Sequence, residues 1–224
     1  MSGERQVHWG QGAFLSPQHL QAQDLWQQAG RHALHLRLTP FPWGFEMLRV
    51  REDALASGVV DVERFALVTR EGERMLGGTV DTAPGNARVP QRNIADLPVS
   101  SSDPIPVWLV FNRERALQGL ATRESGRLAS RHALASDSLG DPYDPQAPEA
   151  EVDFLLYQAN IVTGLDENAD AIVRGSDSYK FAELVPAGPG KFKLSADYIP
   201  PTTAISASHN LARWTRALRD LLVS

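Results

Sequence analysis

"SDSYKFAELVPAGPGKFKLSADYIPP", residues Ser176 to Pro201, reads as two strands folded back on each other about a turn at Gly188-Pro189-Gly190. Glycine and proline there stop any ladder, while the apolar runs on either side are too short and too punctuated for a helix. The same texture extends upstream. "WGFEMLRV" from Trp43, "SGVVDVERFALV" from Ser57, "RMLGGTV" from Arg74 and "IPVWLVF" from Ile105 are short apolar runs separated by Gly, Pro, Asn and Asp, the rhythm of strands and tight turns. "EVDFLLYQANIVTG" from Glu151 is apolar at both alternating positions, which predicts a central strand covered on both faces. The region from about 43 to 200 is therefore expected to be mainly β.

Two helices frame it. Ser16-Pro17 is an N-cap followed by a first-turn proline, whose missing N–H costs nothing there. Leu20, Leu25, Ala29, Ala33 and Leu36 recur at nearly helical spacing until "TPFPWG" breaks the pattern, predicting a helix over 17–36. "SHNLARWTRALRDLLVS" from Ser208 predicts a second helix, with Ser208 as N-cap. Leu211, Trp214, Leu218, Leu221 and Leu222 form one stripe, and Arg213, Arg216 and Arg219 lie off it. Without a terminating glycine or breaker, this helix is expected to continue past Ser224 in a longer natural chain. Ser100–Pro106 and Asp137–Ala150, rich in Pro, Asp and Ser, are the expected loops.

The 224 residues suit one generous domain, and 42% hydrophobic with 22% charged residues is ordinary for a globular fold. Zero cysteines exclude disulfides and thiolate chemistry within this sequence. A net charge of -5 disfavours phosphate-backbone binding, so no nucleic-acid partner is expected. No run approaches the roughly eighteen apolar residues of a membrane span, and the N-terminus lacks a signal-peptide core; no membrane insertion and a cytoplasmic place are the expectations.

Motifs for chemistry are weak. "RGSDS" at Arg174–Ser178 lacks the second glycine of a nucleophile elbow and precedes a strand. No phosphate-cradling glycine motif opens a helix. His32 and His35 have helical spacing for a shared metal but no third ligand nearby, and Asp137, Asp141 and Asp144 lack the calcium-loop spacing. His19 and His209 sit in first helical turns, where a cation is disfavoured, and read as neutral hydrogen-bonding groups. No catalytic residue, cofactor or metal is expected. Trp9, Phe14 and Trp26 cluster about the first helix start; core is their ordinary reading, and an anchoring surface is the other.

"VHWGQGAFLSPQHLQAQD", Val7 to Asp24, resembles the opening signature of the TssK family of type VI secretion baseplate subunits, V-x-W-x-E-G-x-F-L-x-P-Q-H-F-Q-x-Q-D. Trp9, Gly12, Phe14, Leu15, Pro17, Gln18, His19, Gln21, Gln23 and Asp24 match. "PFPWGFEMLRVREDALASGVVDVERF" is similar to the family's W-G-x-x-x-L and L-x-x-G-x-V stretch, and "DYIPPTTAISASHNLARWTRAL" to its Y-I-P-P and A-S-x-x-L elements. Gln11 stands for the usual Glu, Leu20 for Phe, and "VTREGERM" lacks the P-D-G turn, so an acidic contact at 11 and the loop near Gly72 are not carried over.

The resemblance implies a β-sandwich like the shoulder of phage receptor-binding proteins. It divides the chain into a shoulder domain over 1–207 and, from 208 to 224, the start of a helix toward a neck. It further implies a non-enzymatic adaptor that is homotrimeric at full length, docks the TssF and TssG wedge proteins, and reaches TssL and TssM through regions outside this chain. The docking and motif residues it marks are Trp9, Phe14, Leu15, Pro17, Gln18, His19, Tyr198, Pro200 and Pro201. The alternatives from other classes are a receptor-binding domain of a phage-like tail and a hydrolase.

Overall fold

The structure, a computed structural model, describes residues 5–79, 85–99, 103–114, 128 and 130–223. In chain order it holds α1 (Pro17–Leu38), β1 (Gly44–Val50), α2 (Glu52–Leu55), β2 (Val59–Val60), β3 (Val62–Val68), β4 (Arg74–Gly78) and β5 (Ala87–Arg88). These are followed by β6 (Arg92–Asn93), β7 (Ile105–Phe111), β8 (His132–Leu139), β9 (Ala150–Gln158) and β10 (Asn160–Thr163). The last elements are α3 (Ala169–Gly175), β11 (Asp177–Gly188), β12 (Lys191–Leu194) and α4 (His209–Val223).

The strands form a six-stranded sheet ordered β1-β3-β4-β5-β9-β8, a four-stranded sheet ordered β10-β7-β11-β12, and the small pair β2-β6. Pairing is antiparallel except that the short β5 runs parallel to both β4 and β9, so the larger sheet is mixed. Side-chain alternation decides which faces meet. Phe45, Phe65, Leu67 and Met75 of the larger sheet share one buried cluster with Val107, Leu109, Phe111, Tyr179 and Leu184 of the smaller one, the interior of a two-sheet sandwich. The opposite face of β7 carries Trp108 and Val110, which pack with Val162, Ile172 and Val173, so α3 covers that side.

The opening hairpin is as expected: β11 and β12 pair antiparallel, with Val185 opposite Lys193 and Pro186 opposite Phe192. Gly188 and Gly190 both take positive φ, 136° and 63°, which L side chains rarely adopt. The segment from Glu151 departs from expectation. It is two strands in different sheets, broken at Ala159, whose N–H donates to the Arg88 carbonyl at 2.8 Å while Asn160 begins pairing with Val110. Its first half, β9, is largely exposed, so the apolar run there does not report burial.

The loop expected at Asp137–Ala150 is shorter, because Asp137–Leu139 and Ala150 belong to strands. Ser136 Oγ donates to Asp153 and Ser138 Oγ to Glu149, each at 2.5 Å, so polar side chains zip the hairpin that composition alone would have opened. Likewise Ile105 and Pro106 begin β7, and Ser100–Ser102 of that expected loop, with Val80 and Ser224, lie outside the described residues. Helix α1 runs two residues past its expected end, to Leu38, and buries none of its residues.

One charged side chain joins the two sheets. Arg131, 2% exposed, donates to Glu73 of the β3–β4 turn at 2.6 Å and to Asp177 at the head of β11 at 2.5 Å. A third bond goes to the Asn112 carbonyl after β7 at 3.0 Å. Burial opposes its charge, but the two carboxylates outweigh burial and hold the guanidinium pKa above its ordinary value. Removing one member of such a cluster strands the others. Arg131→Met is expected to cost about 3–5 kcal/mol in urea unfolding, and adding Glu73→Gln with Asp177→Asn to recover part of that loss; an Arg131→Met chain of unchanged stability would contradict the joint.

Candidate docking surface

The residues marked by the opening signature gather at the start of α1. Pro17 is the first helical residue and Ser16 the cap. Ser16 N–H donates to His19 Nδ1 at 3.2 Å, and Ser16 Oγ lies 2.8 Å from the same nitrogen. The histidine thus does what a glutamate does in the usual capping box, reaching back to the cap, and it must present a lone pair at Nδ1 to do so. His19 in turn stands 6.2 Å from the Trp9 ring, centroid to centroid, so the arm folds back on the helix start.

The apolar members of this group are bare. Phe14 is 91% exposed, Leu15 61% and Trp9 50%, and Pro17 and Gln18 are also exposed. The core reading of Trp9 and Phe14 therefore fails. Trp26 alone of the three aromatics is half-buried. The reason is geometric: α1 touches the β3–β4 turn in its C-terminal half, where a Cβ on Gly72 would lie 3.2 Å from His32, and its 22 residues extend over roughly 33 Å. The start of the helix is carried away from the sheets.

Tyr198, Pro200 and Pro201 occupy a different place. Phe45 N–H donates to the Pro201 carbonyl at 2.9 Å, Thr203 N–H and Thr202 Oγ1 both donate to the Phe45 carbonyl, at 3.1 and 2.6 Å, and Phe45 and Thr202 form a parallel bridge. Gly44, at φ 133°, allows this approach; a Cβ there would sit 2.8 Å from the Pro201 carbonyl. Tyr198 donates its hydroxyl to the Lys180 carbonyl at 3.0 Å and accepts Asn210 Nδ2–H on its own carbonyl at 2.9 Å, tying α4 to β11. Burial pushes its phenol pKa up. Pro200 is buried. The Trp43-Gly44 and Tyr198–Pro201 motifs, far apart in sequence, are one latch that fastens the C-terminal strap to β1, and it is structural.

Trp43 belongs to the latch's neighbour. The Arg70 guanidinium sits 4.5 Å from the Trp43 ring centroid and 4.8 Å from that of Tyr179, and Arg70 N–H donates to Tyr179 Oη at 3.0 Å. Burial, first among its causes, raises the Tyr179 pKa from 10.0 to about 12. The phenol is buried, packed against Trp43, Phe111 and the Arg70 guanidinium.

Other candidates for chemistry are engaged locally. Ser176 Oγ donates to the Ile172 carbonyl, and Ser178 Oγ to the Val173 carbonyl at 3.0 Å, so both hydroxyls of "RGSDS" satisfy the end of α3. Asp141 and Asp144 accept backbone N–H groups two residues on, at 2.8 and 3.0 Å, as turn-forming aspartates do. Among the described residues no three His, Cys, Asp or Glu side chains gather to hold a metal, and no helix is long and apolar enough to cross a membrane.

Sequence reasoning missed two features and left a third without a cover. Phe41, 73% exposed, prolongs the bare surface of α1, the β8–β9 hairpin exposes Leu134 and Leu155, and α4 leaves Trp214, Leu218, Leu221 and Leu222 uncovered. Periodicity marked the α4 stripe without saying what covers it. Gly44→Ala is expected to open the latch, lowering stability by about 2–3 kcal/mol, with faster amide exchange at Phe45 and Thr203 than elsewhere in β1; a variant that keeps wild-type stability would show the close approach to be dispensable.

Comparison with known proteins agrees with these motifs. The family described as "Bacterial Type VI secretion, VC_A0110, EvfL, ImpJ, VasE" matches residues 19–224. The type VI secretion system baseplate component TssK1 of Pseudomonas aeruginosa is 24% identical over 231 residues, covering 99% of this chain and 47% of its own length. A crystal structure of TssK superposes with a TM-score of 0.77 at 19% identity, over 97% of this chain and 47% of that one. A chain of a type VI secretion system TssK-TssF-TssG baseplate subcomplex superposes with a TM-score of 0.73 at 20% identity, over 96% of this chain and 67% of that one. This chain spans about half the length of the curated relative it matches. With the family matched over nearly all of the sequence, the chain belongs to the TssK family of bacterial type VI secretion baseplate proteins.

Proposed function

We propose that this chain is the docking part of a non-enzymatic baseplate adaptor acting in the cytoplasm, with residues 1–207 as its shoulder domain and 208–224 leading toward a neck. Its partners are the wedge proteins TssF and TssG, other copies of itself in a homotrimer, and TssL and TssM through regions beyond these 224 residues. The resolved relative whose subcomplex includes TssF and TssG supports the choice of wedge partners. The observation that carries the reading is the pairing of a locked sandwich with a bare arm. Phe14, 91% exposed, and Leu15 and Trp9 stand on a capped helix start while the sheets behind them are closed.

Such an arrangement favours binding without rearrangement. Apolar anchors that are already held lose little conformational freedom on docking, so their burial goes into affinity. Nothing in this mode of action needs bond chemistry.

The test is to combine the purified protein with TssF and TssG from the same source and weigh the co-eluting species by light scattering. A stable complex is expected. Phe14→Ala should leave the melting temperature unchanged, since the ring packs on nothing, and weaken wedge affinity about tenfold, roughly 1.4 kcal/mol. Trp9→Ala should cost some stability as well, because its ring leans on His19. A well-folded protein that forms no complex, or a Phe14→Ala variant of wild-type affinity, would sink the proposal.

A further inference from the structure

Two exposed features remain without a role, and their chemistry is complementary. The first is the β8–β9 hairpin. Leu134 and Leu155 lie directly opposite each other in the ladder, so they share one face, and they are 57% and 53% exposed. Ser136–Asp153 and Ser138–Glu151 continue that face toward the tip. From Ala133 to Gln158 the sequence carries Asp137, Asp141, Asp144, Glu149, Glu151 and Asp153 and no Lys, Arg or His. Among the described residues β8 is also the outer strand of its sheet. From Ala133 onward this edge has neither a basic residue nor a bulge, and such an edge is one that proteins ordinarily cover.

The second is the C-terminal half of α1. From Leu25 to Leu38 it carries Arg31, His32, His35 and Arg37 and no acid. Arg31, Leu34, His35 and Leu38 fall on one face by their i, i+3, i+4, i+7 spacing, and Leu34 and Leu38 are 55% and 74% exposed. Helices in water draw most of their stability from a packed face, yet α1 buries no residue.

We propose that α1 of a second copy lies along this hairpin, with Leu34 and Leu38 on Leu134 and Leu155 and with Arg31 and His35 toward Glu151 and Asp153. The contact is head to tail, hairpin of one copy on helix of the next, and such contacts close into a ring when the rotation permits. It rests on the self-association included in the proposed function and assigns the surfaces that make it. The wedge-binding arm, at the other end of α1, stays free.

Because the sequence has no cysteine, introduced ones report the contact. Two differently tagged copies of the protein, one Leu155→Cys and one Leu34→Cys, are co-expressed, purified through both tags and treated with a short bismaleimide. The expected product is a cross-linked pair containing both tags, with none from either variant expressed alone. Glu151→Lys with Asp153→Lys in the first copy should reduce that product at least tenfold, and Arg31→Glu with His35→Glu in the second should restore it. Failure to cross-link, a monomeric mass by light scattering, or cross-linking of Leu34→Cys to itself would each overturn the inference. TssF and TssG co-elution measured on the same samples separates this failure from failure of the adaptor reading.

Discussion

The sandwich depends on a buried cation between its sheets. Arg131 takes carboxylates from the β3–β4 turn of one sheet and from β11 of the other, and a carbonyl from the end of β7. Apolar contact between the sheets supplies the driving force for closure, but it is non-directional, and sheets can slide on such an interface. Three directed bonds to one planar guanidinium fix a single register. The Arg70 guanidinium against Trp43 and Tyr179 repeats the device beside it. Both clamps hold the β3–β4 turn, and α1 crosses that turn at Gly72. The orientation of the helix therefore follows from the joint between the sheets.

The proposed function is mechanical, and the division of residues is consistent with it. Of the two signature groups, one is spent on the fold: Pro200 and Pro201 lie over Gly44, and Tyr198 ties α4 to β11. The other is left over after folding, since Phe14 and Leu15 contribute nothing to the core. A domain that carries load between partners needs both, a body that does not yield and anchors not consumed in building it.

The strand-and-turn texture made the β class legible because hairpins such as β11–β12 announce themselves locally, through glycines that must take positive φ. Helix starts were legible for the same reason, Ser16 and Ser208 being local caps, with Ser208 Oγ accepting the Leu211 N–H at 3.4 Å. What sequence could not show is non-local. The run from Glu151 looks like one buried strand, yet its halves serve different sheets, and which half is covered depends on neighbours dozens of residues away. The Arg131 cluster joins residues whose separation in sequence gives no signal. The aromatic arm looked like core because large apolar side chains are ordinarily buried, and only the direction in which α1 leaves the sandwich shows otherwise.

Hydrogen–deuterium exchange of the protein alone and bound to TssF and TssG tests the central claim most directly. The account predicts slower exchange in the complex from Val7 through the first turns of α1, with the amides of β3, β7 and β11 unchanged because the sandwich is already locked. Protection confined to the sandwich, or spread evenly through it with none at the arm, would contradict the account.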